Sequence, residues 1–217
     1  MIKTKTDIPS QPNQKEMKIL EVLHGSKKFN ELEIETKKLI QKYPNVAALF
    51  NILGFALQQQ GHLKKAAVNF EQAIFINPKF VFAHNNLGNV FKDLGKFDEA
   101  LSKYQHAIKL KPNYAEAYYN QALVYKKIRK YNESIKSFQD ALKIKSDYLD
   151  AYFDLGQVFV SVGKFDEAIE NFQKVINLKP DFSMAYNNIF FTLLYMQKDN
   201  HEFFLSLAKK FRSSIKI

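Results

Sequence analysis

PKFVFAHNNLGNVFKDLGKFDEALSKYQHAI, residues 78–108, decides the fold, because its pattern occurs four times at a spacing of 34 residues. The other copies are PNVAALFNILGFALQQQGHLKKAAVNFEQAI (44–74), PNYAEAYYNQALVYKKIRKYNESIKSFQDAL (112–142) and SDYLDAYFDLGQVFVSVGKFDEAIENFQKVI (146–176). Self-similarity at a fixed period of this length is typical of repeat architectures. The sequence therefore predicts an array of like units.

Helical periodicity explains the pattern. In the first copy quoted, His84, Leu87, Gly88 and Phe91 follow the spacing of one helix face, and a second apolar face begins at Ala100. Equivalent positions hold small residues (Gly54, Gly88, Ala122 and Gly156; Ala66, Ala100, Ser134 and Ala168) or an aromatic residue (Phe70, Tyr104, Phe138 and Phe172). Each unit therefore reads as two helices joined by a tight turn.

The first small-residue column predicts close packing within each pair. A glycine inside a helix costs about 1 kcal/mol relative to alanine, so its return at Gly54, Gly88 and Gly156 needs a reason. We expect the two backbones to approach closely there, with the small residues of the second helix opposite.

These spacings and residue types resemble the tetratricopeptide repeat (TPR). The resemblance implies an all-α, right-handed superhelical solenoid of antiparallel helix pairs. The predicted divisions are a disordered N-terminus (1–12), a degenerate first repeat (13–46) with its turn at His24-Gly25-Ser26, four repeats (47–80, 81–114, 115–148 and 149–182) and C-terminal capping helices (183–217).

The C-terminal segment departs from the repeat. Phe190 stands where a small residue is expected, and the second helix is not in the usual register. An amphipathic last helix is predicted from its apolar residues (Phe204, Leu207, Ala208, Phe211 and Ile215). We expect this helix to fold over the apolar stretch 189–196, or a second copy of the chain to cover it by self-association.

Composition favours a cytoplasmic, soluble protein. The chain has no cysteine, and its five histidines lack metal-ligand spacing. Residues 1–18 lack the apolar run of a secretory signal, and no apolar stretch approaches the ~20 residues that span a bilayer. Neither a cofactor nor a metal is expected.

The net charge of +10 raises nucleic acid or an anionic surface as a partner. Nearly all of the positive charge is lysine, whereas readers of bases and phosphates favour arginine. The charge also changes sign, from +3 over 115–148 to −3 over 149–182. A phosphate-binding track needs a continuous positive surface, so a nucleic-acid partner is the less favoured alternative.

Catalysis is not indicated. Asp98-Glu99 and Asp166-Glu167 occupy equivalent places at the start of second helices, where negative charge complements the helix dipole. The sequence has no phosphate-binding glycine loop and no HExxH motif. His84 replaces an aromatic residue and is expected to be packed in the core. The protein is predicted not to be an enzyme.

The resemblance implies that the first helices line a concave groove that binds a protein or an extended peptide. The predicted binding residues are Asn51, Phe55, Asn85, Asn86, Asn89, Tyr119, Asn120, Lys126, Lys127, Asp154, Gln157, Asn187 and Asn188. Asparagine is a poor helix former, so its return at one groove column (Asn86, Asn120 and Asn188) suggests amides that bind a peptide backbone. The acidic groove residues (Glu116, Asp150 and Asp154) argue against a clamp for a terminal carboxylate.

The asparagine column also resembles the repeat arm of O-GlcNAc transferase and SPINDLY-type glycosyltransferases. The segment 187–195, NNIFFTLLY, is similar to the one that joins repeats to catalytic domain in bacterial members. No glycosyltransferase domain follows in this sequence. The resemblance therefore implies a substrate-recognition arm or a truncated relative, as an alternative to an independent protein-interaction scaffold.

Overall fold

The computed structural model describes residues 11–196 and 201–214, and all regular secondary structure in these ranges is α-helical. Six consecutive helix pairs form two compact units, the first ending at Pro112 and the second beginning at Asn113. This confirms the all-α fold of helix pairs. Residues 1–10 of the predicted disordered N-terminus and Ile215 of the predicted last helix lie outside the described residues.

Each unit contains three pairs. Those of unit 1 are α1 (Gln14–Gly25) with α2 (Phe29–Lys42), α3 (Ala47–Gln59) with α4 (Leu63–Ile76), and α5 (Val81–Asp93) with α6 (Phe97–Leu110). Those of unit 2 are α7 (Ala115–Lys127) with α8 (Tyr131–Ile144), α9 (Leu149–Ser161) with α10 (Phe165–Leu178), and α11 (Ser183–Met196) with α12 (His201–Ser214). Odd-numbered helices are called first helices and even-numbered ones second helices.

An aromatic ring packed on a glycine holds each of three pairs together. A Cβ added to Gly88 in α5 would lie 2.6 Å from Cε1 of Tyr104 in α6. Gly54 meets Phe70 and Gly156 meets Phe172 in the same way, at 2.8 and 2.6 Å. The atoms nearest to the missing side chains therefore belong to the aromatic column and not to the small residues of the second helices. The ring of the partner helix occupies the volume that a side chain would need.

The pair α7 and α8 has different residues at this contact. Ala122 takes the glycine position, and both Ala122 and its partner Phe138 are fully buried. Ser134, at the second small-residue position, donates its hydroxyl to the carbonyl of Ala122 at 2.9 Å. A side-chain hydrogen bond thus links the two helices at the position where α4, α6 and α10 have an alanine.

The turn inside each of the first five pairs places one residue in the left-handed region. Gly61, Gly95 and Gly163 have φ of 74–79°, and Lys27 and Arg129 take the same place at 56° and 59°. The first turn therefore consists of Ser26 and Lys27, and of the predicted turn His24-Gly25-Ser26 only Ser26 lies in it. Gly25 is the last residue of α1.

A carboxylate ties the start of α1 to the end of α2. Asn13 and Glu16 form a capping box, and the Glu16 carboxylate also accepts from Lys42 Nζ at 2.8 Å and from the Tyr43 hydroxyl at 2.9 Å. The hydrogen bond from Lys42 is the main cause that holds the pKa of Glu16 below its ordinary value. The first pair is thus closed by polar contacts at its outer end.

The last pair departs from the others, as the sequence indicates. With Phe190 at the small-residue position, α12 contacts α11 through the rings of Phe211 and Tyr186, whose centroids are 4.7 Å apart, and buries Leu207. Lys210 Nζ also donates to the side-chain oxygen of Asn177 in α10, at 2.9 Å. The helix therefore folds back, but it leaves part of the apolar stretch 189–196 exposed.

His84 is a packed residue, as expected. Its Nε2 lies 2.9 Å from the carbonyl oxygen of Pro78, the equivalent of the hydrogen bond from Tyr186 to Pro180 in the last pair. Burial lowers the pKa of His84, and the ring is therefore neutral when it donates from Nε2. The imidazole thus substitutes for a tyrosine.

We expect Gly88→Ala to destabilise the protein by about 1–3 kcal/mol, because the added methyl group overpacks the contact with Tyr104. The Tyr104 hydroxyl donates to Asn89 at 2.7 Å, and this bond restrains the ring from moving away. The matched control is Gly25→Ala, since a Cβ there meets no atom within 4 Å. Chemical denaturation measures both, and equal stability of the two variants would contradict the packing described.

Candidate functional site

In unit 1, polar side chains link the outward faces of neighbouring first helices. Asn86 Nδ2 of α5 donates to Asn51 Oδ1 of α3 at 3.0 Å, and Gln58 Nε2 donates to Asp93 Oδ2 at 3.1 Å. Both pairs are 35 residues apart, the separation that brings side chains of adjacent first helices together. Two of the predicted groove asparagines therefore bind each other.

The other predicted residues of unit 1 are engaged within the fold. Asn85 is fully buried, and Asn89 accepts the hydroxyl of Tyr104. Phe55 is half-buried, with its ring centroid 4.7 Å from that of His24 and 6.0 Å from that of Phe29. Asn85 is thus not part of the exposed face, because its side chain points into the packed interior.

In unit 2, the first helices carry a charged network around Asp154. Its carboxylate accepts from the hydroxyl of Tyr119 at 2.9 Å and from Lys126 Nζ at 2.7 Å. Lys126 also donates to Gln157 Oε1 at 2.6 Å. The side chains of Lys126 and Asp154 are only 27% and 18% exposed, so this ion pair is better shielded from water than a surface pair. The structure thus brings together four of the predicted residues.

Tyrosines near this network are held protonated. Burial raises the pKa of Tyr119, and the neighbouring carboxylate of Asp154 raises it further. Burial, followed by the charge of Glu116, raises the pKa of Tyr148 to about 12. The rings of Tyr119 and Tyr148 lie 4.9 Å apart. Both phenols therefore stay protonated at any physiological pH, and the Tyr119 hydroxyl donates its hydrogen bond to Asp154.

The remaining predicted residues of unit 2 differ in exposure. Asn120 is buried, at 6% exposed, and so does not present its amide to solvent. Asn188 is half-buried and donates to the carbonyl of Met184 in its own helix at 2.8 Å. Lys127 and Asn187 are exposed. The predicted continuous ladder of asparagines is therefore interrupted.

The face of α11 differs from those of the preceding first helices in being apolar. Besides Asn187, this face exposes four apolar residues: Met184 (53%), Phe191 (58%), Leu194 (55%) and Tyr195 (68%). At the equivalent positions α9 has Asp150, Gln157, Val160 and Ser161, of which three are polar. Exposed apolar groups concentrated on one helix face mark an interaction surface.

Sequence reasoning placed the emphasis on asparagine and left these four residues out of the predicted site. The signal was present, since apolar residues occupy positions that are mostly polar one repeat earlier. The sequence instead predicts that the last helix or a second copy of the chain covers the stretch 189–196. The exposure of these four side chains shows that α12 does not cover them.

No group of metal-binding side chains occurs among residues 11–196 and 201–214. In the same ranges, none of the helices has the length and apolar character required to cross a bilayer.

The helix pairs, the 34-residue period and the ring-on-glycine contact define a protein of stacked helical repeats. Family models described as "TPR repeat" match residues 54–95 and 88–128, and one described as "Tetratricopeptide repeat" matches 113–181. The matches together span more than half of the chain, which therefore belongs to the tetratricopeptide-repeat family. No curated protein matches its sequence significantly.

Several solved structures share the fold. The chain is similar to YrrB, a TPR protein with an unusual peptide-binding site (21% identity, 82% of this chain and 91% of that chain covered, TM-score 0.65). TTC0263, a thermophilic TPR protein of Thermus thermophilus, is 18% identical, with 83% and 98% covered and a TM-score of 0.68. MamA of Desulfovibrio magneticus RS-1 is 21% identical, with 77% and 94% covered and a TM-score of 0.67.

We expect Asp154→Ala to lower the free energy of unfolding by about 1–3 kcal/mol, because it removes the acceptor of two hydrogen bonds, one of them charged. Asp150→Ala is the matched control, since Asp150 lies one turn earlier on α9 and is exposed. Thermal or chemical unfolding of both variants checks this. If the two were equally stable, the network would have no structural role.

Proposed function

We propose that this protein is a non-catalytic scaffold that binds a protein or peptide partner on its first-helix faces, with α11 as the apolar anchor. The observation that carries the proposal is the exposure of Met184, Phe191, Leu194 and Tyr195 on one face of α11. Binding sites draw most of their energy from a few large side chains that become desolvated.

Exposed polar groups on the first helices of unit 2 define the partner's chemistry. Asn187 is exposed on α11 and can donate to and accept from a peptide backbone. Lys127 is exposed at the end of α7 and favours a partner with acidic residues, more through the association rate than through affinity. The proposed partner segment therefore has apolar side chains and a negative charge.

Phe191→Ser with Leu194→Ser should weaken partner binding by at least about tenfold, because each anchor contributes about 1–2 kcal/mol. The matched control is Val68→Ser with Phe75→Ser, which removes two exposed apolar residues of α4, a second helix. Partners captured from native lysate with the parent chain are identified and purified, and their affinity for each variant is measured by calorimetry.

Three outcomes would contradict the proposal. Equal affinity of both double variants would remove α11 from the site. Binding of the parent to anionic lipid vesicles that the α11 variant loses would make the face a membrane contact. A dimer in sedimentation that only the α11 variant dissolves would mean that a second copy of the chain occupies the face.

A second candidate is the substrate-recognition arm of a SPINDLY or O-GlcNAc-type glycosyltransferase. Its support is the sequence of 187–195 and the recurrence of asparagine at Asn86, Asn120 and Asn188. An immunoblot of native lysate tests it. A product much larger than 25.3 kDa would favour the arm, and a product of that mass would exclude it.

A further inference from the structure

A groove on the second-helix side of unit 2 lies between α8 and α10. It has a volume of about 630 Å³. Three residues of α9 line it, Tyr152, Leu155 and Phe159, and Gln139, Leu142, Lys143, Glu167, Glu170 and Asn171 line it from the flanking helices. Leu155 and Phe159 are buried, and Tyr152 is half-buried. The groove therefore has an apolar and aromatic floor and polar walls.

Its two walls differ in charge. On α8, Lys143 Nζ is paired with the Asp140 carboxylate at 2.7 Å. On α10, Glu167 and Glu170 are exposed and one turn apart, and neither carboxylate has an ion-pair or hydrogen-bond partner among residues 11–196 and 201–214. The groove consequently carries two carboxylates without an ion-pair partner above an apolar floor.

Comparison with the other repeats shows that the fold does not require these acids. The positions of Glu167 and Glu170 hold Glu133 and Lys136 one repeat earlier, Glu99 and Ser102 before that, and Lys65 and Val68 in α4. Only α10 has a carboxylate at both positions. The segment 149–182 has a net charge of −3 in a chain of net charge +10. The negative groove is therefore a local feature of this repeat.

We propose that this groove binds a lysine or arginine side chain of a basic protein segment. The aliphatic stem would lie on Leu155 and Phe159, as long cationic side chains cover apolar surface while their heads stay at the water boundary. The head would bridge Glu167 and Glu170, since side chains three residues apart on a helix are neighbours. The face of Tyr152 adds a cation–π contribution. The groove lies on the second helices, so it does not depend on the proposed role of α11.

Fluorescein-labelled octalysine is a suitable probe, and anisotropy at low salt with the full chain measures its binding. The net positive charge of the chain repels this peptide, so binding needs a local negative site. We expect Glu167→Gln with Glu170→Gln to weaken binding by about five- to tenfold. The matched control, Glu99→Gln with Glu133→Gln, makes the same change in net charge at equivalent repeat positions and should change binding less than about twofold.

The proposal is overturned if octalysine does not bind, or if both double variants weaken binding equally, since the effect would then come from net charge. Circular dichroism of each variant confirms that the fold is retained. Phe191→Ser with Leu194→Ser should leave octalysine binding unchanged. If that variant lost octalysine binding, the groove would not be a site separate from α11. If only the α11 proposal failed, octalysine would still bind that variant as it binds the parent.

Discussion

The contact on which the four central helix pairs depend is an aromatic ring of the second helix packed against the α-carbon of a small residue in the first. The two residues are 16 positions apart, as in Gly88 and Tyr104, so one helix pair contains both. The ring fills the space of the absent side chain, which fixes the distance between the helices. Because this contact lies in the interior of the pair, it does little to restrict which residues occupy the outward face of the first helix.

The outward faces of the first helices also make contacts between neighbouring repeats, and these contacts use side chains that could otherwise bind a partner. Hydrogen bonds from Asn86 to Asn51, and from Tyr119 and Lys126 to Asp154, join neighbouring first helices. Stacked repeats depend on such nearest-neighbour contacts. Side chains that form these hydrogen bonds have fewer donors and acceptors left to bind a partner. The face of α11 departs from this pattern, which is why its apolar residues carry the proposed function.

The fold was predictable from sequence because one period repeats and its small and aromatic columns can be counted. The close contact of the ring was not, since spacing alone does not show that Tyr104 fills the space of the missing side chain at Gly88. The candidate site was predictable only in part. Helical register places Asn85, Asn86 and Asn120 near a face, but the depth of packing, which buries Asn85 and Asn120, depends on neighbouring helices.

The most direct test of the central contact is the proton chemical shift of the glycine α-hydrogens, because a proton beneath an aromatic ring is shifted upfield by the ring current. Assigned spectra of the full chain compare Gly54, Gly88 and Gly156 with Gly25 and Gly95, whose added Cβ would meet no atom within 4 Å. We predict upfield α-hydrogens for the first three and ordinary values for the other two. An ordinary value at Gly88 would contradict the packing of Tyr104 on that residue and the description of the repeats that rests on it.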